Sequence, residues 1–270
     1  MKALLIALGV LVAVTALVGG YFGLAPGVSA LFGFNRPRDL GVRYTQADLQ
    51  SLRNKTGVQY QSLSANAPPE ASRIYSGQRA VTASFTDREL TAELNSVPWK
   101  YDPLVDAQVK FNADGAAEIS GLILKDKAPD YVRAMGMTPA EVQLISDQLN
   151  IIPGNPPVYA KGRFQITDNR LTIFEVQVLE VGRVAVPESV LREGRSTFIG
   201  LVERRMRTIT GFSAKSVTVE NGMLKFDGAL HAWNEWKDFW MLASADHCEL
   251  HMGSVRQLKP DLVVHTGSVN

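Results

Sequence analysis

Three stretches of the chain alternate apolar and polar residues with period two, the mark of a half-buried strand, and each returns after a turn. In the first, Val105, Ala107, Val109 and Phe111 share one side and Asp106, Gln108 and Lys110 the other. Asn112-Ala113-Asp114-Gly115 turns the chain, and Ile119, Gly121 and Ile123 carry the apolar side back. In the second, Val158, Ala160, Gly162, Phe164 and Ile166 alternate with Tyr159, Lys161, Arg163 and Gln165; Thr167-Asp168-Asn169-Arg170 turns, and residues 171–179 return. In the third, Asn221-Gly222 joins Val217 and Val219 to Leu224 and Phe226. Asn-Gly tolerates positive φ at both central positions, which a two-residue hairpin loop requires.

Elsewhere the period is helical. Thr45, followed by Asp48, reads as a capping box opening a helix with Leu49 and Leu52 on one face, stopped by Gly57. Thr86 and Glu89 repeat the arrangement, with Leu90 and Leu94 on one face and Asn95 at the end. The shared aromatic-Thr-x-x-acid-Leu pattern admits two explanations, a structural repeat or chance similarity between two capped helices. Thr138-Pro139 starts a further helix with Val142, Ile145 and Leu149 as its stripe. Pro187-Glu188-Ser189 opens the longest, running to about Ile209, with Val190, Phe198, Leu201, Val202 and Ile209 on the side predicted to be buried. Residues 62–72 are rich in Ser, Ala and Pro and read as a loop. The sum is an α+β fold, an antiparallel sheet of hairpins with a few helices on one face.

From Ala3 to Ala25 no residue is charged. At ~1.5 Å rise per residue such a run spans a hydrocarbon core of ~30 Å. A cleaved signal peptide is the competing reading, with Val28-Ser29-Ala30 as the cleavage site, but its apolar region is only ~7–15 residues long. The run is therefore expected to be an uncleaved transmembrane anchor (1–25), followed by a Gly/Pro/Arg-rich tether (26–44) and a single α+β domain (45–270). Lys2 before the run, against Arg36, Arg38 and Arg43 well beyond it, favours a cell-membrane, single-pass protein with its domain outside the cytoplasm.

Lys and Arg total 28 against 27 Asp and Glu. That near-neutral balance argues against nucleic acid as the main partner. The single cysteine, Cys248, excludes an intramolecular disulfide and any multi-cysteine metal site. No Gly-x-Ser-x-Gly elbow or phosphate-cradling glycine loop occurs. Cys248 between His247 and His251 suggests a Cys/His dyad, but sequence neighbours seldom acquire that geometry. His247 and His251, four apart, are the best metal candidates, with Asp246 or His231 to complete a set. The paired acids Asp102/Asp106 and Asp126/Asp130 read as turn and surface residues. Trp233, Trp236 and Trp240 fall at i, i+3, i+7 and would line one face of a helix, either as a gate over an apolar cavity, as an interfacial segment, or as core. Arg192, Arg195, Arg204, Arg205 and Arg207 give the longest helix a basic side.

Several of these pieces occur together in a known order: the capped helix Thr86–Asn95, the return Gly162–Ile173 (GRFQITDNRLTI), the entry Val181–Pro187 (VGRVAVP) and the closing hairpin Asn221–Gly228 (NGMLKFDG). In this the chain resembles small single-pass bacterial proteins likened to the tubular lipid-binding (TULIP) superfamily, across roughly residues 85–228. The resemblance implies a curved sheet wrapped on a long helix, with an apolar groove between them able to hold an acyl chain. It carries over no catalytic residues and no cofactor. The expected function is a membrane-anchored, non-enzymatic domain binding an apolar ligand, with membrane lipid as partner and Phe198, Leu201, Val202, Trp233, Trp236 and Trp240 as ligand-binding residues. Two alternatives stay open: an anchored scaffold with a solid core, engaging other membrane proteins, and a metal-dependent hydrolase at His247 and His251.

Overall fold

The computed structural model describes residues 36–63, 67–96, 99–151, 154–182 and 184–237. The chain enters α1 (Gln46–Thr56) through the capping box of Thr45 and Asp48 and leaves it at Gly57, which takes the left-handed conformation with φ +62°. Strand β1 (Gln59–Leu63), a single 3₁₀ turn (Pro69–Ala71), β2 (Arg73–Ser76) and β3 (Arg79–Phe85) follow. Helix α2 (Asp87–Ser96) opens on the second capping box, in which Thr86 N donates to Glu89 Oε2 and Glu89 N to Thr86 Oγ1. The hairpin β4 (Leu104–Phe111) and β5 (Ala117–Ile123) leads to α3 (Ala128–Ala134) and α4 (Pro139–Ile151). The long hairpin β6 (Pro157–Thr167) and β7 (Arg170–Val181) is followed by β8 (Val184–Ala185) and α5 (Glu188–Thr208). The described chain closes with β9 (Ser213–Glu220), β10 (Met223–Leu230) and β11 (Trp233–Lys237).

The main sheet is antiparallel, in the order β3-β10-β9-β6-β5-β4, with β7 on the other edge of β6 and β8 beyond it. Strand β6 is its organiser. One edge of β6 pairs with β5 over Pro157–Gly162 and with β9 only at Ile166 and Thr167, so two arms of the sheet branch from that edge. Between the arms lies a core of Leu52, Val81, Phe85, Ala214, Val217 and Phe226, extended by Val109, Phe111 and Val219. A smaller sheet has β11 between β1, parallel to it, and β2, antiparallel.

Helix α2 does more than cover the sheet. Strand β4 is an edge strand, and Thr91 and Asn95, one helical turn apart, supply the hydrogen bonds a neighbouring strand would. Val109 N donates to Thr91 Oγ1 at 2.9 Å and Ala107 N to Asn95 Oδ1 at 3.0 Å, while Asn95 Nδ2 donates to Ala107 O at 2.8 Å. Glu89 is 4% exposed, bonded to Ser51 and Lys55 of α1. The first segment also docks. Leu40 and Val42 pack on Tyr159, and the Arg38 guanidinium lies 3.7 Å from the Tyr159 ring centroid and pairs with Glu180.

The structure corrects several expectations. The sheet is not wrapped on a long helix: α5 packs against β7 at the sheet margin, and only Met206 of its 21 residues is buried. Val190 and Phe198, expected inside, are 52% and 47% exposed. No helix among the described residues is long and apolar enough to cross a membrane. Helix α5 has the length but carries Arg192, Glu193, Arg195 and the run Glu203-Arg204-Arg205. The expected single-pass anchor and cell-membrane placement are thus not supported; the run 3–25 that suggested them lies outside the described residues. The segment from Trp233 is strand β11, not helix, so the i, i+3, i+7 alignment does not arise there. In β4 a bulge between Val105 and Gln108, with Asp106 at φ +51°, breaks the alternation that grouped Val105 with Ala107.

Candidate functional site, an apolar groove beneath helix α5

Alternation along β6 sends Ala160, Gly162 and Phe164 to one face of the sheet, and the paired positions of β7, Leu179, Val176 and Phe174, to the same face. The register slips between Lys161 and Gly162, so that Gln177 is bulged and both Val176 and Leu179 stay on that face. Gly162 makes the close approach possible, since a Cβ there would lie 2.2 Å from the Glu175 carbonyl oxygen. Across from this wall runs the N-terminal half of α5, presenting Leu191, Gly194, Arg195 and Phe198, the i, i+3, i+4, i+7 stripe of one helical face. Between them is a groove of about 560 Å³, its inner end reaching Val109, Phe111 and Leu224 of the core. Phe198 spans it, stacked on Phe174 with ring centroids 4.7 Å apart and planes 14° apart.

The helix is fixed at its far end. Leu171 N donates to Glu203 Oε1, Arg204 pairs with Glu141 of α4, Arg205 Nη2 donates to the Tyr75 hydroxyl at 2.6 Å, and Met206 is buried. Among the described residues these side-chain ties all fall between Glu203 and Met206. The half over the groove is mostly exposed, and a Cβ placed on Gly194 would meet nothing within 4 Å. Apart from the Phe198–Phe174 stack, the wall therefore stands off from the sheet around Gly194.

The polar sheet residues bordering the groove belong to the opposite face of the sheet. Glu118, paired with Lys161 across the β5–β6 register, accepts from the Tyr159 hydroxyl at 2.8 Å and from Asn112 Nδ2. Burial alone would raise the Glu118 carboxyl; those two bonds and the nearby Lys161 outweigh it and hold it below the usual range. The Tyr159 phenol is raised, first by burial and then by Glu118. Arg163 sits 3.7 Å from Asp114. This network stabilises the far side and leaves the sheet wall of the groove lined by hydrocarbon.

Of the residues expected to bind a ligand, Phe198 lies on the groove wall. Leu201 and Val202, one turn further on, are half-buried and are not part of the wall. Trp233 and Trp236 fall in β11 of the small sheet, and Trp240 lies outside the described residues. The sheet wall, Phe164, Phe174 and Val176, was not singled out from sequence, although the period-two pattern of both strands of this hairpin marks that side as apolar. His247, Cys248 and His251 lie outside the described residues; His231 packs edge-on against Tyr75 at 4.8 Å. Among the described residues no three His, Cys, Asp or Glu side chains converge as metal ligands. A second hollow, about 770 Å³, is bordered by Trp99, Tyr101 and the four acids Asp102, Asp106, Asp126 and Asp130. It is larger but far more polar, and those acids do not form a ligand set. The chain matches no protein-family model, no curated protein and no solved structure, so its groove has to be read from its own geometry.

Proposed function

We propose that this protein binds an apolar, acyl-type chain in the groove between β6–β7 and helix α5, as a binding module and not as a catalyst. One observation carries the reading: about 560 Å³ of space walled by hydrocarbon from two independent elements, with exposed apolar side chains at its mouth. That volume falls within the ~300–1,000 Å³ range of small-molecule sites. Water filling such a space gains few hydrogen bonds, so replacing it with a hydrocarbon chain is favourable by ~25 cal/mol per Å² of apolar surface covered. The lining reaches from the exposed Phe198 to Val109 of the core, so an apolar ligand can enter at the mouth and extend toward the interior.

The test is fluorescence titration of the full-length chain with the neutral naphthalene N-phenyl-1-naphthylamine, in buffer free of detergent. Saturable enhancement, reversed by decan-1-ol, is expected. Absence of saturable binding, with a folded protein confirmed by circular dichroism, would remove the reading.

A further inference from the structure

The helical wall of the groove carries one charged side chain. On the stripe Leu191, Gly194, Arg195, Phe198, only Arg195 is ionic. Its neighbours at i±3 and i±4 are Leu191, Arg192, Phe198 and Ile199, so no carboxylate on its own helix is placed to neutralise it. No ion pair or hydrogen bond holds its guanidinium among the described residues, and the side chain is exposed. The acids nearest on the sheet do not serve either. Glu175 alternates with Phe174 and Val176 and so points to the far face, opposite Arg163, while Glu118 is committed to Tyr159 and Asn112. A guanidinium left without a counter-ion on an apolar wall is matched by a ligand that brings the anion with it.

We propose that Arg195 receives the anionic head of the groove's ligand, making the site selective for a carboxylate-bearing acyl chain, a fatty-acid-like amphiphile, over a neutral chain of equal length. This rests on the groove being the ligand site. The hydrocarbon tail lies between Phe174, Val176 and the helix, and the carboxylate stays at the solvent-facing mouth, where it keeps most of its hydration and accepts from the guanidinium. No charge has to be buried, so the cost that accompanies interior ion pairs does not arise.

The experiment displaces N-phenyl-1-naphthylamine from the full-length chain with decanoate or decan-1-ol, each below its aggregation threshold. Decanoate should displace the probe at a concentration about two- to fivefold lower than decan-1-ol, the size expected for one solvent-exposed ion pair. Raising salt should shrink that ratio, because an exposed pair is screened. Arg195→Gln should equalise the two competitors, Arg195→Lys should restore most of the preference, and Arg192→Gln, one turn away, should leave it intact. Equal displacement by acid and alcohol in the unmodified protein overturns the assignment to Arg195 while leaving the groove reading in place. So does a preference that survives Arg195→Gln or ignores salt. Loss of probe binding in Arg195→Gln also overturns it, by assigning the residue to the wall's structure. A probe that does not bind the unmodified protein removes both.

Discussion

Gly194 offers the sharpest test of the groove, because two substitutions there separate stability from binding. Its backbone is helical, it lies two turns inside the start of α5, and a Cβ added to it meets no atom within 4 Å. A glycine inside a helix costs about 1 kcal/mol relative to alanine, mostly as backbone entropy. Gly194→Ala removes that cost without touching anything, so the protein should gain about 0.5–1 kcal/mol. For a chain of this size ~1 kcal/mol raises Tm by about 2–4 °C, readable by differential scanning fluorimetry. Gly194→Trp keeps part of the propensity gain but lays an indole along the groove. If it takes on the order of 100 Å² of apolar wall from the ligand, at ~25 cal/mol per Å² the loss is about 2.5 kcal/mol, more than roughly tenfold in Kd. The expected pair of results is a Tm at or above that of the unmodified protein in both variants, with naphthylamine affinity retained in Gly194→Ala and lost in Gly194→Trp. A lower Tm for Gly194→Ala would mean that the space beside α5 is filled. Undiminished binding by Gly194→Trp would place the ligand elsewhere.

Three further outcomes follow from other parts of the fold. Thr91→Val keeps the shape of the side chain but strips the buried Val109 N–H of its acceptor at 2.9 Å, and urea unfolding should show a loss of about 2 kcal/mol with the m-value unchanged. Gly162→Ala drives a methyl against the Glu175 carbonyl, a backbone atom that cannot step aside, and should cost about 1–3 kcal/mol in the same assay while weakening naphthylamine binding. Glu89 titrates below the usual carboxylate range: burial would raise it, but bonds from Lys55, Ser51 and the Thr86 N–H outweigh burial. A lowered folded pKa contributes stability that is complete above the unfolded value, ~4.3, and is lost as pH falls through the folded one. Thermal melting should therefore show stability falling on the acid side of that value, and Glu89→Gln should be less stable at neutral pH with a shallower acid decline.

Local signals in the sequence carry through to the fold where the backbone itself is constrained. Asn221 and Gly222 have φ of 54° and 72°, Asp168 and Asn169 of 50° and 60°, and each pair turns the hairpin expected of it. The capping boxes at Thr45 and Thr86 form as their spacing requires. What periodicity cannot convey is the partner. In α2 it marked Leu90 and Leu94 as the inner face, yet Leu94 is 36% exposed while Glu89 and Thr91 are buried, because α1 supplies Lys55 for the first and the edge of β4 supplies Val109 for the second. The segment from Trp233 fits a helical stripe equally well as a pattern. It is a strand because β1 and β2, more than 150 residues earlier, offer it two edges, and pairing at that separation leaves no local trace.

Helix α5 shows the same limit and what it conceals. Its stripe from Leu191 to Met206 identifies the apolar side, but only the end near Met206 is closed over by protein. Were the rest a core-facing surface left slightly loose, it would be filled as cores are, by side chains in contact and without unpaired charge. Instead the stripe breaks its own rule twice in succession, with a glycine whose missing side chain would touch nothing and an arginine that finds no carboxylate. Each departure costs something in isolation, helix propensity at Gly194 and apolar cover at Arg195. Both sit where the helix faces the groove. Violations of local preference that coincide in space are the pattern of a site shaped for something else, and this coincidence at Gly194 and Arg195 is what the proposal of an acyl chain with one negative end rests on.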